Sequence, residues 1–273
     1  MNRARELALY DQDRKHVEIF GMQRDETPHV VRHISAEGEG LIIYSDLDAA
    51  NADKVIGEQV SHFEDNGYDL TWIVYQHDCP SDLKERLLAH GFQAGEPDAV
   101  LVLDLQEVPA ALLEPVRHDV RRIEHPSQLD DVITIHQQVW QAGFERWRAR
   151  LSSRLVEAPG SLSLYVAYVD GLPVSTAQVS FYAGRPFASL VRAATLPGYR
   201  GRGLFSALVA TLVQETRQGS VRFLDTDAGA MSVPSWKSSA SGGSQRLIPS
   251  LCAPQLHQQR ARPVVRASHS RTR

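Results

Sequence analysis

The sequence predicts an α/β fold with a mixed, mostly antiparallel sheet flanked by helices. Two patterns carry that prediction. Branched, apolar runs at 162–169, 174–182 and 187–194 are separated by the turn pairs Asp170-Gly171 and Ala183-Gly184, which reads as antiparallel hairpins. A strand–helix–strand unit follows, in which a helix over 203–216 carries Leu204, Leu208, Val209, Leu212 and Val213 on one face and precedes a strand at 221–225.

The remaining elements follow in chain order. Short branched runs at 29–34 and 40–44 predict strands, and from Asp46 the spacing of Leu47, Ala50, Val55, Gln59 and Phe63 predicts a helix closed by Asn66-Gly67. A strand is expected at 69–75. Pro80-Ser81-Asp82 reads as a helix start with Ser81 as N-cap, and Leu83, Leu87 and Leu88 form its apolar stripe up to Gly91. A strand at 99–103 ends this half, and the stretch from Glu107-Val108-Pro109 to Pro115 reads as a connector. The second half is expected to start with a strand at 120–123, then helices over 127–140 and 144–155 broken by Pro159-Gly160. The expected organisation is therefore an N-terminal α/β domain over 1–115, a second domain over 116–234 and a basic, disordered tail over 235–273.

Bulk composition excludes several classes of function. With 273 residues, 42% hydrophobic and 23% charged, the chain has the composition of a soluble globular protein of about two domains. No apolar run approaches the roughly 20 residues of a membrane span, and the start Met-Asn-Arg-Ala-Arg-Glu-Leu lacks the apolar centre of a signal peptide. A cytoplasmic protein without a membrane partner is expected. Cys79 and Cys252 are far apart and have no metal-ligand neighbours, so they read as ordinary thiols with no metal site. From Ser235 onward there are seven Lys or Arg and no acid, so the tail carries +7 and the rest of the chain −11 of the net −4.

The chemistry concentrates at 192–206. A strand runs through a Pro-Gly turn into a basic, glycine-containing loop that opens directly onto an amphipathic helix. The first amides of a helix have no intrahelical acceptor, the helix dipole is positive there, and glycine lets an anion approach the backbone. Arg200 and Arg202 add charge beside Gly201 and Gly203. Glycines at this point also serve simple close packing of strand on helix. A P-loop needs Gly-Lys-Ser/Thr at the helix start and a dinucleotide fold needs three spaced glycines; neither is present.

The pattern Arg200-x-x-Gly203-x-Phe205, preceded by Thr195-Leu196-Pro197, closely resembles the cofactor loop of the GNAT superfamily of N-acetyltransferases, and the resemblance spans about 120–234. It implies acetyl-CoA or a related acyl-CoA as cofactor. It further implies that the backbone of Ala193, Ala194 and Thr195 pairs with the pantetheine arm, on a strand that splays from its neighbour. The loop of Arg200, Gly201, Arg202, Gly203, Leu204, Phe205 and Ser206 is implied to hold the pyrophosphate. Phe205 departs from the small residue common there. The implied reaction is direct attack of a small-molecule or peptide amine on the thioester, with the protein orienting both and a base accepting a proton. No catalytic residue is assigned. Ser189 and Arg192 lie on the strand, and Asp225 and Asp227 are the nearest acids, with strand-end solubility and turn capping as their ordinary alternative. Trp140, Phe144 and Trp147 stand where the family builds its acceptor wall, or else are core. A non-catalytic acyl-CoA-binding module is the competing class, and a homodimer is among the assemblies allowed.

In the first half, the run from Leu83 through Gly91-Phe92-Gln93 resembles the closing helix and Gly-Phe turn of the same superfamily. It lacks a basic glycine loop, so the half reads as a degenerate second GNAT-like unit that shapes the acceptor cleft, or as an unrelated α+β domain. After Pro234, where the family continues with a helix and a Gly-Phe turn, this chain gives Ser235-Trp236-Lys237-Ser238-Ser239-Ala240-Ser241-Gly242-Gly243. Back-translated as AGC TGG AAA AGC TCG GCT TCC GGC GGC and read from the third base, these residues give Leu-Glu-Lys-Leu-Gly-Phe-Arg. That is the missing family motif, and it points to a frameshift near Pro234. The alternative is a basic Ser/Arg-rich tail with weak affinity for nucleic acid, which is not an expected partner otherwise.

Overall fold

The computed structural model describes residues 3–228 and 246–258. In chain order the elements are α1 (Arg3–His16), β1 (Met22–Glu26), β2 (Val30–Ser35), β3 (Glu39–Ser45), α2 (Ala52–Asp65), β4 (Asp69–Ile73), α3 (Leu83–Ala89) and β5 (Gln93–Asp104). They continue with β6 (Asp119–Arg122), α4 (Leu129–Trp140), α5 (Glu145–Glu157), β7 (Leu162–Val169), β8 (Leu172–Phe181), β9 (Phe187–Thr195), α6 (Leu204–Thr216), β10 (Phe223–Ala228) and β11 (Arg246–Gln258). All eleven strands join one sheet in the order β1-β2-β3-β4-β11-β5-β10-β9-β8-β7-β6. Pairing is antiparallel except for β3 with β4 and β9 with β10. The mixed, mostly antiparallel α/β fold expected from the sequence is therefore the observed one.

The two halves meet where β5 pairs with β10, from Asp104 opposite Phe223 to Ala99 opposite Ala228. On one face, α6 buries Leu204, Leu208, Leu212 and Val213 against Ala177, Val179, Ala188, Leu190 and Leu224. Each such side chain contributes about 1.5–3 kcal/mol of burial. On the opposite face, α4 and α5 pack Val132, Ile135, Leu151 and Leu155 on Leu164 and Val166, while Tyr10 of α1 covers Phe187 and Phe223. The first half has its own core around Trp72, Phe63, Ile56 and Leu87.

Three differences from the sequence expectation matter. α1 and β1 had no counterpart among the predicted elements. The cap of α3 is Asp82, not Ser81, and its side chain makes no capping bond. Within the tail expected to be disordered, Arg246–Gln258 lies as β11 between β4 and β5. The shifted stretch from Ser235 to Gly243 lies outside the described residues. Gly91 takes the left-handed conformation (φ +89°), and the Phe92 amide bonds back to Leu87 O at 3.1 Å, so the Gly-Phe turn forms as expected and seats Phe92 on Trp72. No helix of the described residues is long and apolar enough to cross a membrane.

Gly40 marks the closest approach of α2 to the sheet, because a Cβ added there runs into the ring of Phe63. Gly40→Ala is therefore expected to destabilise the protein by about 1–3 kcal/mol through overpacking, read as a lowered urea midpoint; an unchanged midpoint would show that the Phe63 ring can move aside.

Candidate functional site

The strand β9 is held by β8 along its length and by β10 for only three residues. Phe187, Ala188 and Ser189 pair with Phe223, Leu224 and Asp225, after which the two parallel strands separate. Opposite the opening, the β8–β9 register slips between Thr176/Ala194 and Gln178/Val191, placing two β9 residues against one on β8. Arg192 lies in that bulge with φ +55°. The β9 edge at 193–195 thus has no ladder partner on β10, while Ser175 secures it from behind by donating to Ala194 O at 3.0 Å and meeting Thr195 Oγ1 at 2.7 Å.

Beyond Thr195 the chain makes a one-turn 3-10 helix over Pro197–Tyr199 and enters the basic loop. Gly201 (φ +74°) and Gly203 (φ +78°) both occupy the left-handed region, which a residue with a side chain adopts only with strain. Gly203 is the N-cap of α6, whose first backbone bond runs from Ala207 N–H to Gly203 O at 2.9 Å. The amides of Gly201, Arg202, Gly203 and Leu204 meet no acceptor among the described residues. Arg200 Nε donates to Thr195 O at 3.2 Å, and Arg202 lies over the Tyr199 ring at 5.0 Å. The Phe205 side chain is half-buried and packs against the core cluster that α6 shares with the sheet. His118, which sequence reasoning had no signal to single out, bonds Arg202 O at 3.1 Å and stands 3.5 Å from where a Gly203 Cβ would be.

Where β9 and β10 part, Ser189 donates to Asp225 at 3.0 Å. Asp225 is buried, and desolvation followed by the charge of Asp227 lifts its carboxyl well above the usual carboxylate range. Asp227 lies two residues further along β10, beyond the last pair with β9. Its side chain reaches solvent, yet the protein around it desolvates it and Asp98 on β5 repels it, which raises its pKa to about 6. Tyr10 from α1 and Tyr75 after β4 share this polar cluster, their hydroxyls 3.4 Å apart.

On the other side of the bulge, a cavity of about 330 Å3 is lined by Glu39, Phe144, Arg146, Trp147, Arg150 and Arg192, among others. Glu39 belongs to β3 of the first half and binds Arg150 at 2.6 Å and Arg146 at 3.8 Å. Trp140, Phe144 and Trp147, expected either as an acceptor wall or as core, cluster around a residue that sequence reasoning did not flag: His136 is fully buried, with Trp147, Trp140 and Phe144 ring centroids 4.3, 4.7 and 5.4 Å away. Burial and the Arg192 charge depress its pKa to about 3, so the imidazole stays neutral. Phe144 and Trp147 line the cavity; Trp140 is half exposed outside it.

The end of the β9–β10 ladder thus leads into a left-handed, glycine-capped helix start, the backbone arrangement found at anion-binding helix N-termini. Residues 129–233 match the family model described as the "Acetyltransferase (GNAT) family", and this part of the chain is a GNAT domain. The fold of the whole chain is similar to a GCN5-related N-acetyltransferase from Kribbella flavida, at 14% identity with 94% of this chain and 96% of that one covered and a TM-score of 0.65. It is also similar to a functionally unknown conserved protein from Staphylococcus epidermidis (14% identity, 88% and 95% covered, TM-score 0.64). A tandem GNAT protein from the clavulanic acid biosynthesis pathway matches at 14% identity, 90% and 86% covered, with a TM-score of 0.54. The similarity of the first half to these folds fits a tandem arrangement. No curated protein sequence matches the chain.

Proposed function

We propose that this chain is an N-acyltransferase that moves an acyl group, the acetyl group first among them, from a coenzyme A thioester to an amine. The observation that carries the reading is the separation of β9 from β10 immediately before a helix start with unaccepted amides. Ala193, Ala194 and Thr195 offer a backbone edge for the pantetheine arm. Gly201, Arg202, Gly203 and Leu204, with Phe205, Ser206 and the Arg200 side chain, form the end that takes the pyrophosphate. The chain fits the group because Gly203 presents no Cβ at the helix start and Phe205 packs half-buried against the core. A bound thioester supplies the reactive acyl carbon and a leaving thiolate; the protein supplies position and a proton acceptor. The expected setting is cytoplasmic.

Asp227 is the proposed general base. It stands on β10 beyond the divergence point, and its pKa of about 6 lets a carboxylate accept a proton while still ionised near neutral pH. Desolvation by the surrounding protein and then the charge of Asp98 on β5 tune it, and Asp227 in turn raises the Asp225 carboxyl and the buried hydroxyls of Tyr10 and Tyr75. A raised carboxyl pKa means the base is protonated below about pH 6 and free above it, so kcat is expected to climb through that pH. Asp227→Asn should lower kcat about 10²–10⁴-fold and remove that limb while leaving coenzyme A affinity intact. An Asp227→Asn enzyme with the parental pH–rate profile would assign the proton to another group.

A further inference from the structure

The cavity beside the Arg192 bulge has a chemistry of its own. Its walls contribute three guanidinium groups, Arg146, Arg150 and Arg192, against two carboxylates, Glu39 and Glu145. Glu39 is taken by Arg150 and Arg146. Arg192 has no ion pair or hydrogen bond from its side chain among the described residues, and it lies over the Trp147 ring at 5.4 Å. Arg150 keeps Nε buried without a partner. Arg192 is open to solvent on one side, yet desolvation by the surrounding protein and the neighbouring Arg150 charge both weigh against its cation. One unpaired guanidinium, that of Arg192, therefore faces this small space beside the Glu39-paired Arg150, and a fork of N–H donors matches a planar carboxylate.

Resting on the acyltransfer reading, we propose that this cavity selects the acceptor: an amine that carries a carboxylate and an apolar or aromatic body, of the size of a single amino acid. The Arg192 guanidinium takes the carboxylate, and Phe144 and Trp147 take the apolar body. The volume of about 330 Å3 stands at the small end of ligand pockets, which favours an amino acid over a folded protein tail. Polycationic acceptors are disfavoured because they bring like charge to three arginines. The same positive field lowers the pKa of an ammonium group placed beside it, which assists the deprotonation that attack requires. Arg192 sits in the β9 bulge, next to the edge offered to the pantetheine arm, so an acceptor held by its guanidinium lies beside the acyl end.

The test is a ligand series followed by calorimetry on the full chain, each ligand titrated with coenzyme A present: L-phenylalanine, L-phenylalaninamide, phenethylamine and O-phosphoethanolamine. L-Phenylalanine is expected to bind at least about tenfold tighter than the amide or phenethylamine, as befits a charge-assisted pair. Arg192→Gln should erase that preference, raising KM for the amino acid about 10- to 100-fold with kcat changed far less, and Arg192→Lys should recover part of it. Equal binding of phenethylamine and L-phenylalanine overturns the proposal, and tightest binding of O-phosphoethanolamine reassigns the pocket to phosphate. Should Arg192→Gln fail to fold, the wild-type series alone decides. A separate coenzyme A titration distinguishes the two failures: coenzyme A heat without carboxylate preference defeats only the acceptor assignment, whereas absence of coenzyme A heat defeats the acyltransfer reading.

Discussion

Gly203→Glu is expected to weaken coenzyme A binding by at least about 100-fold and to abolish the thermal shift that coenzyme A produces. Two effects act together at this position. The backbone is left-handed at φ +78°, which costs a non-glycine residue about 1–2 kcal/mol. A new Cβ would only touch His118, at an ordinary contact distance of 3.5 Å, so it adds no clash of its own. The carboxylate then puts negative charge where the unaccepted amides and the helix dipole favour an anion. Gly203→Ala separates these effects, since it keeps the strain and omits the charge. It should lower the melting temperature slightly and affinity modestly, and equal damage from both variants would mean that loop geometry alone sets affinity.

Restoring the displaced reading frame after Pro234 is expected to raise the melting temperature by about 10 °C. The match to the GNAT family model stops at residue 233, one residue before Pro234, near which the sequence reading places the frameshift. The first half shows what that motif contributes. Leu87, Gly91 and Phe92 form a left-handed helix end whose Leu and Phe are almost wholly buried. Losing a buried Phe or Leu costs about 2–5 kcal/mol, and each 1 kcal/mol moves the melting temperature of a chain this size by roughly 2–4 °C. A chain with Leu-Glu-Lys-Leu-Gly-Phe-Arg after Pro234 should therefore melt higher and turn over faster. Codons in the gene that differ from the back-translation, or a repaired chain that melts no higher, would remove the frameshift.

The hairpins β7–β9 and the helix α6 were legible because apolar residues recur at periods of 2 and 3.6 between clear turn signals. α1 was not, and its burial pattern explains why. Its buried members include Glu6, Asp13 and Arg14, held by polar bonds such as Arg14 to Asp78 at 2.8 Å and Asp13 to Arg185 at 2.8 Å. No apolar stripe exists for periodicity to detect. The start of β5 lies ahead of the strand expected at 99–103, because Gly95 and Pro97 interrupt any branched apolar run there; Pro97 nonetheless opposes Pro254, and Ala94 opposes Leu256, on β11. At the site, Gly201, Gly203 and the 193–195 edge could be read locally, since loop, turn and helix are contiguous. His118, His136 and Glu39 could not, because each reaches the site from a distant segment. Glu39 meets Arg150 from 111 residues away, and nothing in a linear reading pairs them.

The most direct measurement is calorimetric titration of the full chain with coenzyme A, monitored in parallel by amide chemical shifts. One equivalent of ligand should bind with measurable heat, and the largest amide shifts should fall at Gly201, Arg202, Gly203 and Leu204 and along 193–195. Heat accompanied by shifts elsewhere, or no heat at all from the folded chain, would contradict the cradle at the start of α6.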